Sequence, residues 1–238
     1  MEQILQKNHI KGLSGNALKL IAAVSMLLDH IGVVFFPNVL WLRLAGRLAL
    51  PIFAYMIAEG CHYTKNRLRY FLTVFGVAVC QTVYAVAMGD YYMCILVTFS
   101  LSILTVYALQ IWKAQRGILR KAAGGLLFGA VVGIVWWLNR ILRIDYGFWG
   151  CMLPVFPALL RGTKWDKRQT NILLLTVGLV VLCLDVGSIQ VFSLAAVPLL
   201  LLYNGQRGKR KLKYFFYLFY PLHLAALQGI ACLLALLK

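Results

Sequence analysis

Ionisable side chains inside apolar stretches are the feature of this sequence with the most chemical content. Asp29 and His30 lie in one such stretch, Glu59 in the next and His223 in the last. A charged side chain at the centre of a membrane costs roughly 2.5–3.5 kcal/mol on insertion scales, so each of these residues needs a partner or a role. Together they could form a proton or ion path, line a site, or lock helices together through ion pairs and hydrogen bonds.

Asp29 and His30 need separate partners, because adjacent residues on an ideal helix are turned about 100° apart. Arg43 and Arg47 are four residues apart in the next apolar stretch, so they share a helical face. A short turn between the two stretches brings that face beside Asp29. We therefore predict an ion pair between Asp29 and one of the two arginines.

Three further residues of the apolar stretches bear on a site: Glu59, Pro51 and His223. Glu59 has Tyr55 and Tyr63 on its own helical face, which could supply hydrogen bonds to its carboxylate. Pro51 lies within the same apolar stretch and should kink it, because proline lacks the backbone N–H that an intact helix requires. His223 follows a second proline in the last stretch, and a lone histidine there could simply bridge two helices.

The elements that position these residues are membrane spans. The 238 residues are 62% apolar and 13% charged, whereas a soluble domain is roughly half apolar and a quarter charged. We predict an all-α polytopic transmembrane bundle of about nine spans, with a range of eight to ten, as a single domain over 1–238. The predicted spans are 18–36, 39–61, 70–88, 92–112, 122–138, 148–160, 172–184, 189–203 and 214–237. The sixth to eighth are short, and the last two of these could instead form a re-entrant pair.

Charge distribution predicts the orientation of the bundle. The net charge is +17, but the basic residues cluster before the first span and after the second, fourth, sixth and eighth, which is typical of cytoplasmic loops and not of nucleic-acid binding. The N-terminus is therefore expected in the cytoplasm. The first apolar stretch lacks a cleavage site and is expected to be retained. The six cysteines have no CxxC spacing, so we expect neither a disulfide framework nor a metal site.

Several motifs, in order along the chain, resemble those of the TraX family of bacterial membrane proteins. They are Lys11–Gly15, Asp29–Gly32, Arg43–Phe53, Glu59–Gly60, Asp145–Gly150, Tyr203–Gly205 and Tyr217–His223. The family is named for a conjugation protein that acetylates pilin, and it resembles the polytopic acyltransferases that use coenzyme A. This resemblance implies a multi-pass protein of the bacterial cytoplasmic (inner) membrane.

The resemblance also implies an activity and residue roles. The chain would be a membrane-embedded acyltransferase that moves an acyl group, in particular acetyl, from acyl-CoA on the cytoplasmic side to an extracytoplasmic or membrane-associated acceptor. His30 would be the general base, with Asp29 beside it as a catalytic partner. The residues expected to bind substrate or stabilise the oxyanion are Arg43, Arg47, Glu59, Asp145 and His223. The acceptor could be a pilin-like peptide, a cell-wall component, a glycan or a lipid.

A basic and aromatic segment after the eighth span could bind the nucleotide end of coenzyme A. Basic side chains neutralise phosphates and aromatic rings stack on adenine. The candidates are Arg207, Lys209, Arg210, Tyr214 and Tyr217. Positive-inside charge followed by an interfacial aromatic belt is by itself a sufficient explanation of the same segment.

Two other functions remain compatible with the sequence. Intramembrane ionisable residues also occur in proton- or ion-coupled transporters, although no internal repeat is evident. The chain could otherwise be a non-enzymatic assembly factor for a surface appendage, with its buried charges holding helices together.

The sequence departs from the TraX pattern at the end of the third span. The stretch Gln81–Tyr84 replaces the glutamate, proline and aspartate that end the third span in many TraX members. That change bears on the acceptor.

Overall fold

The computed structural model describes residues 12–209 and 212–237, so that Lys11 and Arg210 lie outside the described residues. The regular elements of these ranges are helices. In chain order they are α1 Gly15–Phe35, α2 Leu40–Gly46, α3 Ala49–Tyr63, α4 Arg67–Ala87, α5 Ile95–Ala114, α6 Ile118–Ile141, α7 Gly147–Met152, α8 Val155–Ala158, α9 Arg168–Val186, a 3-10 helix Ser188–Ala195, α10 Ala196–Leu201 and α11 Lys213–Leu236. The prediction of an all-α polytopic protein is confirmed.

Within the described residues, seven helices are long and apolar enough to cross a membrane, if α2 and α3 are taken as one broken span. The predicted seventh span is among them, as α9. The predicted sixth and eighth spans are instead shorter apolar helices, Gly147–Ala158 and Ser188–Leu201. Each is interrupted, the first between α7 and α8 and the second where 3-10 geometry gives way to α10.

The second span breaks where Pro51 predicts it. α2 ends at Gly46 and α3 begins at Ala49, which places Pro51 in the first turn of α3. A proline is tolerated there because the first backbone N–H groups of a helix have no partner within it. The break lets α2 lie close to α1: a Cβ on Gly46 would be 2.3 Å from the Cβ of Asp29.

The interior of the bundle is formed mainly by α3 and α5. Half of the residues in the most apolar part of the second span are buried, and 61% of those in α5. The corresponding share is 11% for α6 and 17% for α4 and α11. The outer helices therefore expose leucine, isoleucine and valine side chains over most of their length. Such surfaces are stable only in a lipid environment.

One end of the bundle carries basic loops, and we call it the basic end. There the Lys113 ammonium donates to the backbone carbonyls of Ala158, Leu159 and Arg161. These carbonyls lie at and just after the end of α8, where the Ala158 carbonyl also accepts from the Arg161 amide, and a cation there is favourable as an additional donor. The segment that contains α7 and α8 is thus anchored beside the end of α5.

The start of α1 docks on the segment after α10. The Leu13 and Asn204 amides donate to the carbonyls of Leu202 and Leu13, at 2.8 and 2.9 Å. The amides of Gly15 and Asn16 donate to the carbonyls of Gln206 and Arg207, and the Ser14 hydroxyl caps the helix by accepting from the Ala17 amide. The motifs around Ser14 and Asn204 therefore form one structural unit.

Candidate functional site

An ion-pair cluster joins α1 to α2 at the end of the bundle opposite the basic end. Both oxygens of Asp29 accept from Arg47 Nη2, at 2.7 and 2.8 Å. Arg43 Nη1 lies 3.2 Å from the same carboxylate. The predicted ion pair is confirmed, and it involves both arginines.

Arg47 is held on every side of its guanidinium. Its Nε donates to the Arg43 carbonyl at 3.3 Å, and Nη1 donates to the Tyr146 hydroxyl at 3.3 Å and to Gln190 Oε1 at 3.5 Å. The residue is 8% exposed, whereas 32% of the Arg43 side chain is accessible. Arg47 therefore holds the cluster together, and Arg43 is the arginine that a ligand can contact.

The loop before α7 supplies Tyr146 in a strained conformation. Tyr146 has φ of +58°, the single non-glycine residue with positive φ among the described residues. A residue keeps a strained backbone conformation when the contacts around it are strong enough to hold it there. A Cβ on Gly150 would lie 2.4 Å from the Cβ of Tyr146, so the glycine provides the space that the tyrosine occupies.

The Asp145 carboxylate hydrogen-bonds to Tyr92, although the family resemblance grouped Asp145 with Arg43 and Arg47 as a substrate-binding residue. Its carboxylate accepts from the Tyr92 hydroxyl at 3.3 Å, and its backbone carbonyl accepts from the Thr98 hydroxyl at 2.8 Å. Burial raises the pKa of Asp145 to about 6, while the Tyr92 hydrogen bond and the charge of Arg47 act in the opposite direction. Asp145 thus lies at the edge of the arginine cluster.

His30 pairs with His223 across the α1–α11 contact. Nδ1 of His30 is 2.9 Å from Nε2 of His223, and Nδ1 of His223 is 2.7 Å from the backbone carbonyl of Phe219. The Phe219 ring also stacks on the His223 ring, at 4.8 Å between centroids. His30 and Asp29 therefore have separate partners, as helix geometry predicts.

Glu59 belongs to a second charge cluster, at the basic end. Its carboxylate forms an ion pair with Arg161 and accepts from the Tyr203 hydroxyl at 3.3 Å. Arg161 also lies 3.8 Å from Asp166. The sequence singled out Glu59 but not Arg161, which it placed among the basic loop residues. Glu59 is twelve residues beyond Arg47 in the chain, about 18 Å along a helix, so it does not join the arginine cluster.

A cavity of about 640 Å³ lies between α1, α3, α4, α5 and α11. Lys19, Lys65 and Arg207 line it at the basic end. At the other end it is lined by Met26 and Phe219, which precede His30 and His223 by one helical turn. The cavity therefore runs from a cationic mouth to the layer just below the histidine pair.

The predicted nucleotide-binding residues divide into two groups. Arg207 and Tyr217 line the cavity. Lys209 and Tyr214 are exposed and do not line it, and Arg210 lies outside the described residues. Lys19 and Lys65, which belong to the basic clusters that indicate orientation, also line the cavity. Lys19 lies 5.8 Å from the centre of the Phe216 ring in a cation–π contact.

These features define a multi-pass helical membrane protein with ionisable side chains placed between its helices and a large cavity open toward its basic end. The TraX protein family model matches residues 14–231. The chain belongs to the TraX family.

Three relatives illustrate this similarity. The chain is 29% identical to "Probable fimbrial assembly protein FimC, serogroup H1" of Dichelobacter nodosus, over 88% of this chain and 92% of that protein. It is 28% identical to "Protein TraX" of Escherichia coli, over 90% and 86% of the two chains. It is 27% identical to "Uncharacterized protein RP591" of Rickettsia prowazekii, over 65% and 57%. No solved structure matches.

Proposed function

We propose that this protein is an acyl-CoA-dependent acyltransferase of the bacterial inner membrane, with His30 as its general base. The observation that carries the proposal is the cavity, which begins among basic side chains and ends one helical turn from the histidine pair. Its mouth can neutralise phosphates, and its interior is largely apolar. This is the shape and polarity that an acylated pantetheine arm requires.

Dimensions support the same proposal. Asn16 and Met26 both line the cavity, and ten residues of helix rise about 15 Å. The twelve bonds from the thioester sulfur to the first phosphate oxygen of coenzyme A, at about 1.25 Å of reach each, also span about 15 Å. With the phosphates beside Arg207, whose carbonyl accepts from the Asn16 amide, the thioester would reach the level of Met26. Met26 lines the cavity one helical turn before His30, and its side chain is flexible enough to move aside.

The chemical step follows from this placement. His30 takes a proton from the acceptor hydroxyl or amine as the acceptor oxygen or nitrogen bonds to the thioester carbonyl carbon. The C–S bond then breaks, and the leaving thiolate receives a proton from the imidazolium. Arg43, the accessible arginine of the cluster, stabilises the developing oxyanion or anchors an acidic group of the acceptor.

The acceptor would arrive from the side opposite the coenzyme. The arginine cluster lies at that end, at the level of His30, because Asp29 and His30 are neighbours in α1. One relative is named as a fimbrial assembly protein, so we propose a subunit of a surface appendage as the first acceptor to test. That name also favours an alternative for this chain, a non-enzymatic assembly factor in which the buried charges only hold helices together.

Release of free coenzyme A tests the proposal. The purified protein is given acetyl-CoA and a panel of amine and hydroxyl acceptors, and the parent is compared with His30→Ala and with His62→Ala as a matched control. His62 is exposed, so its removal should leave the rate unchanged, while loss of a general base should lower the rate by about 100-fold or more. Equal rates in His30→Ala and the parent would exclude His30 as the base. No release in any variant would favour the assembly factor.

A further inference from the structure

The hydrogen bonds of the histidine pair determine which nitrogens carry protons. A backbone carbonyl can only accept, so the 2.7 Å contact between His223 Nδ1 and the Phe219 carbonyl requires a proton on that Nδ1. In a neutral His223, Nε2 then carries the lone pair. The 2.9 Å contact with His30 Nδ1 therefore requires that His30 donate. His30 in turn keeps its own lone pair on Nε2.

His223 is held in this state by its surroundings. It is 7% exposed, and a charged imidazolium at such a buried position would be costly. The His223 ring is fixed on one face by Phe219, at an interplanar angle of 13°, and at an edge by Tyr220, with centroids 5.7 Å apart. The ring of His223 is thus a rigid acceptor aimed at His30.

We propose that His223 is a positioning residue that holds His30 in the Nδ1–H tautomer and makes His30 Nε2 the atom that accepts the proton of the acceptor. This role rests on the proposed acyl transfer. It assigns to a second histidine the task that a carboxylate performs in serine hydrolases, where the base is oriented through its other ring nitrogen. Asp29 does not perform that task, because His30 Nδ1 contacts His223 and the oxygens of Asp29 contact Arg47 and Arg43.

The tautomer has a definite place in the reaction. His30 Nε2 takes the acceptor proton while the acceptor heteroatom attacks the thioester carbon, and the resulting imidazolium is stabilised by its Nδ1–H donating to His223 Nε2. When the C–S bond breaks, Nε2 returns the proton to the thiolate. His30 is then neutral and again protonated on Nδ1, so the cycle closes without any proton lost or gained by the pair.

Nitrogen-15 NMR of the histidine-labelled protein tests the tautomer without any need for activity. The parent should show His30 as a neutral ring protonated on Nδ1, assigned by the loss of its signals in His30→Ala. In His223→Phe, which keeps an aromatic ring beside Phe219 but has no acceptor, His30 should shift toward the Nε2–H form that free imidazole favours. The exposed His62 serves as an internal reference. A parent His30 protonated on Nε2, or an unchanged tautomer in His223→Phe, would overturn the proposal.

Kinetics of coenzyme A release separate positioning from mere structure. His223→Phe should lower kcat by about 100-fold and leave KM for acetyl-CoA unchanged, because His223 does not line the cavity. His223→Gln places an amide oxygen near the position of Nε2 and should recover kcat to within about 10-fold of the parent. Equal losses in both variants, or a change confined to KM, would contradict the role. If the parent shows the expected tautomer but transfers no acyl group, the proposed function fails and the tautomer assignment stands.

Discussion

The buried charge of Arg47 is stabilised by hydrogen bonds from all three nitrogens of its guanidinium. Its donors are distributed among Asp29, the Arg43 carbonyl, Tyr146 and Gln190. A guanidinium suits such a site because its five donors can be shared among several acceptors, and here Nη2 alone contacts both oxygens of Asp29. The desolvation cost is offset only while all these partners are present.

Removal of the Asp29 charge should therefore destabilise the protein. Asp29→Asn leaves Arg47 buried without its counter-ion, a loss of about 3–5 kcal/mol for a broken buried pair, measured as a lowered Tm in detergent. Asp185→Asn is the control, since Asp185 is exposed near the end of α9. Equal Tm values for Asp29→Asn and Asp185→Asn would show that the cluster does not stabilise the fold.

Sequence patterns predicted contacts at the residue scale only where local geometry governs them. The Asp29–Arg47 pair followed from helical spacing in two consecutive apolar stretches joined by one short turn. The His30–His223 pair joins residues 193 positions apart, and no helical spacing relates them. The Glu59–Arg161 pair was missed because a basic residue after a span is adequately explained by the positive-inside bias.

At the scale of elements, close packing of α1 on α2 depends on small residues. Gly46 faces Asp29, and the Ser25 hydroxyl donates to the Ala45 carbonyl. Within membranes such contacts replace the hydrophobic driving force that water would supply. The approach of the two backbones also sets the distance between Asp29 and Arg47.

Gly46→Ala should thus separate α1 from α2. Its Cβ would lie 2.3 Å from the Cβ of Asp29, and overpacking of this kind costs about 1–3 kcal/mol. The control is Gly76→Ala in α4, where a Cβ meets nothing within 4 Å and helix propensity should instead add about 0.5–1 kcal/mol. Thermal unfolding of both variants gives the comparison. A Gly46→Ala variant as stable as the parent would mean that the contact can relax.

Hydropathy predicted most of the helices but not their continuity. Long apolar helices such as α5 need only length and composition to be recognised. The stretches 147–158 and 188–201 are apolar but short and interrupted. A helix can be interrupted at this depth where the rest of the bundle, and not lipid, surrounds its backbone and supplies the missing hydrogen bonds. The Lys113 ammonium that satisfies the end of α8 is one such support.

At the scale of the whole molecule, two charge clusters mark opposite levels of the bundle. Gln190 contacts Arg47 in one cluster, and Tyr203 contacts Glu59 in the other. The chain between Gln190 and Tyr203 must therefore pass from one level to the other, although its helices are short. The same holds between Tyr146, at Arg47, and Arg161, at Glu59.

Sided labelling tests this path and the orientation together. With the basic end in the cytoplasm, a membrane-impermeant maleimide should label Ser188→Cys in intact cells of a cysteine-free background. Lys164→Cys and Gln206→Cys should react only after the membrane is opened. All three positions are exposed. Labelling of Ser188→Cys and Gln206→Cys from the same side would show that the 188–201 segment turns back instead of crossing.

The most direct test of the account is whether the cavity is the acyl-CoA site. Ile57 lines the cavity, and Ile57→Trp should fill it and weaken acetyl-CoA binding in a calorimetric titration by at least about 10-fold, the equivalent of roughly 1.4 kcal/mol. Leu72→Trp, on the exposed face of α4, is the control and should bind acetyl-CoA as the parent does. Equal affinity in Ile57→Trp and the parent, or no binding by the parent, would contradict the central claim.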